Sequence, residues 1–208
     1  MSPLAFDDAL RARLEANLAR LERRALPVAG LKRAAVGVIV VAGEAGDAAL
    51  LLTRRAPRMN RHAGQYALPG GRLDAAESAL DAARREAREE IGLEVDPSAF
   101  LGALDDYPTR SGYLITPLVA WVARAETLSP NPEEVARVYR VPLADLGRPG
   151  SPEFFSIPES DRPVIRYPLL GTLIHAPTAA VLYQFMEVAV LGRDTRVAHL
   201  EQPVWAWR

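Results

Sequence analysis

The chain has no cysteine, so neither disulfides nor thiolate-held zinc can belong to its design, and a reducing cytoplasm is the expected setting. It has almost no lysine. Lys32 stands alone, and arginine carries the rest of the positive charge. No apolar run reaches the length of a membrane span and the N-terminus shows no signal-peptide pattern, so a membrane partner is not expected. An excess of either charge is missing too. With 25 basic and 26 acidic residues the net charge is −1, which gives no electrostatic footprint for nucleic acid. Internal repeats and low-complexity tracts are absent, which excludes solenoids. What is present is a chain of 208 residues, 49% hydrophobic, able to bury one sizeable core.

Hydrophobic periodicity divides the chain into an N-terminal helix with its link, residues 1–30, and a main domain with a C-terminal helical extension, residues 31–208. Leu10, Leu14, Leu18 and Leu21 recur at helical spacing between Pro3 and Arg24, and this stripe needs cover from the core or from a second subunit in a homodimer. Strands are predicted over Ala34–Ala42 and Ala49–Arg54 as a hairpin, then over Phe100–Asp106, Tyr113–Ala123 and Val135–Val141. A polar loop, Glu126–Asn131, precedes the last of these. A helix is predicted over Glu77–Ile91, ending at Gly92, and a second over Pro177–Leu191, after a Pro-rich stretch through Asp161. Helices interleaved with strands of this kind give an α/β class, a mixed β-sheet packed between helices.

The segment from Gly71 to Leu93 carries the chemistry. Residues three and four apart share a helix face, so Glu86 meets Glu89 and Glu90 across one turn. Three like charges so placed repel, and a fold that keeps them needs a cation between them. All-oxygen ligands select a hard ion, Mg²⁺ or Mn²⁺, over zinc.

The spacing is longer than this triad. It runs Gly71, five residues, Glu77, seven residues, then Arg85, Glu86, Ala87, Arg88, Glu89, Glu90, Ile91, Gly92 and Leu93. At roughly 6% usage per residue type, its seven fixed identities arise by chance about once in 10⁸ to 10⁹ starting positions. The pattern resembles the signature of the Nudix hydrolases, in which an aliphatic residue stands at the position of Ala87. That resemblance implies the Nudix α/β/α sandwich and hydrolysis of a metal-bound pyrophosphate. It also implies Glu86, Glu90 and Glu89 as metal ligands, a backbone carbonyl from Gly70, a water-mediated metal contact from Glu77, and Arg85 orienting a box carboxylate.

Just upstream, Leu51 to Gly71 is similar to the strip that marks the coenzyme A pyrophosphatases within that superfamily. Leu51, Leu52, Thr53, Arg55, Ala56, Gly64, Pro69, Gly70 and Gly71 fall on its fixed positions, whereas Asn60, Tyr66 and Leu68 depart from it. Arg61 lies one place beyond the expected basic residue. Arg54, Arg55, Arg58, Arg61 and His62 form a cationic strip suited to phosphate. The resemblance thus implies a small-molecule, coenzyme A-like nucleotide substrate, split to 4′-phosphopantetheine and adenosine 3′,5′-bisphosphate. Downstream, Leu104–Val122 and Ile174–Ala179 also resemble that subfamily. Pro108, about 15 residues past the box, matches instead a marker of ADP-ribose hydrolases, and a nucleotide sensor without turnover is a third reading.

The general base varies across the superfamily. Glu89 is the candidate within the box, and Glu133 and Glu134 are the candidates on a loop. Asp105 and Asp106 are lesser contenders.

Overall fold

A computed structural model describes residues 3–28, 30–58, 64–125 and 127–206. Eight strands make one mixed sheet: β1 (Lys32–Ala42), β2 (Ala48–Arg55), β3 (Tyr66–Ala67), β4 (Gly70–Arg72), β5 (Phe100–Ala103), β6 (Tyr107–Pro108), β7 (Tyr113–Trp121) and β8 (Val135–Pro142). β1 lies at its centre, parallel to β7 and antiparallel to β2 and β4, and β8 pairs with β2. Because both faces are covered, β1 reads as a continuous apolar run rather than an alternation. Val38 and Val40 face one layer, Ile39 and Val41 the other.

The helices are α1 (Asp8–Arg20), α2 (Ala79–Ile91), α3 (Leu143–Leu146) and α4 (Thr178–Gln184), the last continued by a π-helical turn, Phe185–Val190. Helix α2 covers one face of the sheet, where Ala87 and Ile91 pack fully buried among Ile39, Val41, Ala49 and Leu51. Helices α1 and α4 cover the other, where Leu14 and Phe185 meet Val38, Leu50 and Leu52. The result is the expected α/β/α sandwich. Among the described residues no helix is long and apolar enough to cross a membrane.

Helix α1 is shorter than its periodicity suggested, because Asp7 caps it by accepting the Leu10 N–H at 2.8 Å. Its leucines are covered within the chain. Leu10, Leu14 and Leu18 are buried in the same core as the sheet, and Asn17 donates to the Ala189 carbonyl at 2.8 Å. The helix packs on the sheet of residues 31–208, and the segment after it is tied to Asp105 and Asp106.

The Pro-rich stretch is not a loop. It holds a three-stranded antiparallel sheet of β9 (Glu153–Ile157), β10 (Ser160–Leu169) and β11 (Thr172–His175), with β10 in the middle. Proline cannot donate to a ladder, which hides such a strand in the sequence. Pro163 is accommodated in the irregular register between Ser160 and Val164. Pro108 lies in β6 opposite Leu114.

A carboxylate pins the C-terminal segment. Glu201 is 2% exposed and accepts from Arg110 Nη2 at 2.5 Å, the Ser160 hydroxyl at 2.9 Å and the Gln202 N–H at 2.9 Å. Burial works to raise its pKa, but Arg110, the Gln202 N–H and Ser160 outweigh it and hold the group at about 2. A pKa depressed from 4.5 gives stability that is present above the unfolded value and lost as pH falls from 4.5 towards 2. Glu201→Gln is therefore expected to cost roughly 2–3 kcal/mol at pH 7, discounted for the partial exposure of Arg110. Denaturant unfolding at pH 7 and pH 3 checks this: the gap between wild type and variant narrows at the lower pH.

Candidate active site

Two glycines and a helix build the site. Helix α2 starts at Ala79 because Ser78 caps it, accepting the Asp81 N–H at 3.1 Å, and it stops at Gly92 in the left-handed region at φ 67°. Glu77, expected as the first helical residue, therefore lies outside the helix and turns back on it. Its two oxygens accept from Arg85 Nε at 2.9 Å and Nη2 at 3.0 Å. The same guanidinium donates to Glu86 Oε1 at 2.8 Å, Glu89 Oε2 at 3.1 Å and the Arg72 carbonyl at 3.0 Å. Arg85 is thus the hub that orients three box carboxylates. These hydrogen bonds lower the Glu77 pKa and raise that of Arg85.

Strand β4 brings Gly70 and Gly71 against β1. The Gly70 backbone has φ 155°, and a Cβ there would stand 2.3 Å from the Ala35 carbonyl oxygen. At Gly71 a Cβ would stand 2.3 Å from Glu86 Oε1. Close approach is required at both positions, by the β1 backbone at the first and by a box carboxylate at the second.

Glu90 is the buried member, only 3% exposed. It accepts the Gly70 N–H at 3.1 Å and lies 3.8 Å from Arg55 Nη1. Burial pushes its pKa up to about 8 and repulsion from Glu86 adds to the rise, against the pull of the Gly70 N–H and Arg55. Burial also raises Glu86, against the pull of Arg85. This carboxylate pair is short of positive charge. Among the described residues no three His, Cys, Asp or Glu side chains are gathered closely enough to hold a metal by themselves. Mg²⁺ and Mn²⁺ can be held by one or two carboxylates together with waters and substrate phosphates. Glu86 and Glu90 fit such an ion. The Gly70 carbonyl falls, by the alternation of the β4–β1 ladder, on the edge away from β1, the side from which its N–H reaches Glu90.

Of the expected bases, Glu89 is exposed and held by Arg85. The loop pair separates. Ser129 and Asn131 donate their N–H groups to the Ile91 and Glu90 carbonyls at 2.9 Å each, and Ala56 donates to the Glu134 carbonyl at 2.8 Å. The loop is thereby fixed to the end of α2. Glu134 is half-buried and its charge raises the pKa of both Glu86 and Glu90, whereas Glu133 is exposed. Asp105 and Asp106 are not at the site. Asp105 accepts the Arg24 N–H and Arg196 Nη1, and Asp106 the Leu26 N–H and Thr116 hydroxyl, so these acids fasten the N-terminal link to the fold.

Arg54 and Arg55 of the cationic strip part company. Neighbours on a strand point to opposite faces, so Arg55 reaches Glu90 on the α2 side while Arg54 is exposed on the α4 side. Arg55 Nε is buried with no hydrogen-bond partner among the described residues. Gly64, at φ 70°, donates to the Arg55 carbonyl at 3.2 Å and closes the loop behind it. Asn60, Arg61 and His62 lie outside the described residues.

A cavity of about 350 Å³ opens beside Gly70 and Gly71, with Arg55 in its wall and Val36, Leu68, Ile115 and Val181 giving it an apolar lining. Gln202 and Trp205 from the C-terminal segment also line it. No motif in the sequence marks either residue as part of the site.

Comparison with known proteins bears on the family and the fold. The NUDIX domain model matches residues 31–166. An uncharacterized Nudix hydrolase NudL of Yersinia enterocolitica is 41% identical over 100 residues, covering 48% of this chain and 51% of that protein. Its counterpart in Pectobacterium atrosepticum is 40% identical over 95 residues, 45% of this chain and 50% of that one. The chain thus matches about half the length of these curated relatives. Among solved structures, a MutT/nudix family protein from Enterococcus faecalis shares the fold with a TM-score of 0.57 at 18% identity, over 86% of this chain and 69% of that one. The Nudix hydrolase RenU from M. smegmatis does so with a TM-score of 0.53 at 23% identity, over 78% and 88%. With the family model spanning well over half of its residues, the chain belongs to the Nudix family.

Proposed function

We propose that this chain is a Mg²⁺- or Mn²⁺-dependent hydrolase that cleaves the pyrophosphate bond of coenzyme A or its derivatives. The products are 4′-phosphopantetheine and adenosine 3′,5′-bisphosphate. The observation that carries this reading is the pair of half-buried Glu86 and buried Glu90, set against Gly70 and Gly71 with the motif arginine Arg55 3.8 Å from Glu90. A bound divalent ion neutralises phosphate charge and makes water a better nucleophile.

The chain's own residues prepare that chemistry. Glu86 and Glu90 are the ligands; Glu89 serves as a further, outer one. Arg85, locked by Glu77, fixes the Glu86 and Glu89 carboxylates in place. Arg55 offers a buried donor to a phosphate oxygen beside Glu90, with the geometry suited to a planar guanidinium. Glu134, half-buried and close enough to raise the pKa of both ligands, takes the proton from the attacking water. Support for the coenzyme A class comes from the match of Leu51–Gly71 and from the position of Arg55 within it.

Incubation of the protein with coenzyme A, ADP-ribose and dinucleotides, with and without Mg²⁺, tests the reading. Coenzyme A is expected to give the highest kcat/KM, and only with metal. Preferential hydrolysis of ADP-ribose, or binding without products, would replace it.

A further inference from the structure

The cavity beside Gly70 and Gly71 does not end at the site. A second depression, of about 430 Å³, is lined by Arg54 and the turn from Leu170 to His175. Both share Gln65, Tyr66, Ala176, Pro177, Thr178 and Trp205, so together they form one trough leading away from the metal-binding loop. Trp205 stands where the two meet.

Three large apolar side chains along the second depression are left open to solvent. Leu170 is 40% exposed, Leu173 42% and Trp205 51%, and all three line the second depression. A gathering of exposed apolar groups along a concave surface marks a place where something else is bound. The indole is also held in position. Its ring stands edge-on to His175 with centroids 5.3 Å apart, and the segment before it is pinned by Glu201 to Arg110 and by the Arg110 N–H to Gln202 Oε1 at 2.6 Å.

Shape and lining select one kind of substrate arm. A compact sugar attached to the diphosphate fills the first depression alone. An extended arm that alternates amides with methylene and methyl groups runs past Trp205 into the second, where an indole gives apolar contact and one N–H donor. We propose that the trough is the subsite for an extended, uncharged, amide-bearing arm of the diphosphate substrate, and that Trp205 is its specificity-determining residue. The inference rests on the pyrophosphatase reading and adds to it the seat of the pantetheine half.

The test separates the two. Calorimetric titration of the Mg²⁺-loaded protein with 4′-phosphopantetheine and, separately, with adenosine 3′,5′-bisphosphate needs no turnover. Trp205→Ala is expected to weaken the first about tenfold and leave the second unchanged, with Trp205→Phe recovering most of the loss. In steady-state assays with coenzyme A the same variant raises KM at constant kcat. Equal weakening of both ligands, weakening of the bisphosphate alone, no change in either, or no binding of 4′-phosphopantetheine to the wild type would overturn the subsite, whatever the hydrolysis assay gives. Failure of the wild type to cleave coenzyme A would overturn the pyrophosphatase reading instead.

Discussion

Glu90→Gln is expected to lower kcat for diphosphate hydrolysis by about three orders of magnitude, equivalent to about 4 kcal/mol of transition-state stabilisation, as loss of the proposed central metal ligand should. The substitution keeps the shape of the side chain but removes the charge that an ion needs. It does not unfold the protein. Glu90 is 3% exposed and its pKa is raised by burial to about 8, so ionising it in the metal-free protein costs stability. The sign follows from linkage. A pKa raised from 4.5 in the folded state gives stability that is complete below 4.5 and lost as pH rises through 8, and glutamine escapes that loss. The metal-free variant should therefore melt no lower than metal-free wild type above pH 8, while added Mg²⁺ raises the Tm of the wild type alone. Near-normal turnover of the variant at saturating Mg²⁺ would remove Glu90 from the metal site.

The adjacent glycines should fail in different ways when each receives one methyl group. At Gly71 the new Cβ meets the end of a flexible side chain, Glu86 Oε1 at 2.3 Å and Cδ at 2.6 Å. The carboxylate can swing aside, so Gly71→Ala should stay folded while losing a correctly placed ligand, with activity down about a hundredfold and weaker Mg²⁺ binding. At Gly70 the Cβ meets backbone, Ala35 O at 2.3 Å and Val36 Cα at 2.7 Å, in a conformation at φ 155° that other residues rarely adopt. Nothing there can rotate away. Gly70→Ala should cost about 3 kcal/mol or more of stability, seen as a drop in Tm. Thermal melts and metal titrations of the two variants distinguish these outcomes, and equal Tm losses would contradict the account.

The parts of the site that the sequence made legible are those written in local spacing. Gly92 and the glutamates before it specify a helix that stops in the left-handed region with its acids one turn apart, and the structure has that helix, begun at Ala79 rather than Glu77, with Ala87 fully buried beneath it. Distance in sequence hid the rest. Glu133 and Glu134 are equivalent in a loop until the Asn131–Glu90 and Ala56–Glu134 backbone bonds place the second near the Glu86–Glu90 pair. Asp105 and Asp106 resemble catalytic acids as an isolated dipeptide, yet their partners at Arg24, Leu26 and Arg196 lie some 80 to 91 residues away. The sheet of β9, β10 and β11 was masked by prolines, of which Pro163 sits in its irregular register and Pro168 opposite Leu173. Trp205 joins the cleft at the end of a segment that Glu201 ties to Arg110 across 91 residues, and no periodicity records such a pairing.

The central claim, metal-dependent cleavage of the pyrophosphate of coenzyme A at the Glu86–Glu90 pair, is tested most directly by the masses of the products. Chelated protein, wild type and Glu90→Gln, is supplied with coenzyme A and then with Mg²⁺. The account predicts adenosine 3′,5′-bisphosphate and 4′-phosphopantetheine from the wild type only after the metal is added, and almost none from the variant. Intact coenzyme A in the wild-type sample with Mg²⁺, or the same products in its absence, would contradict it.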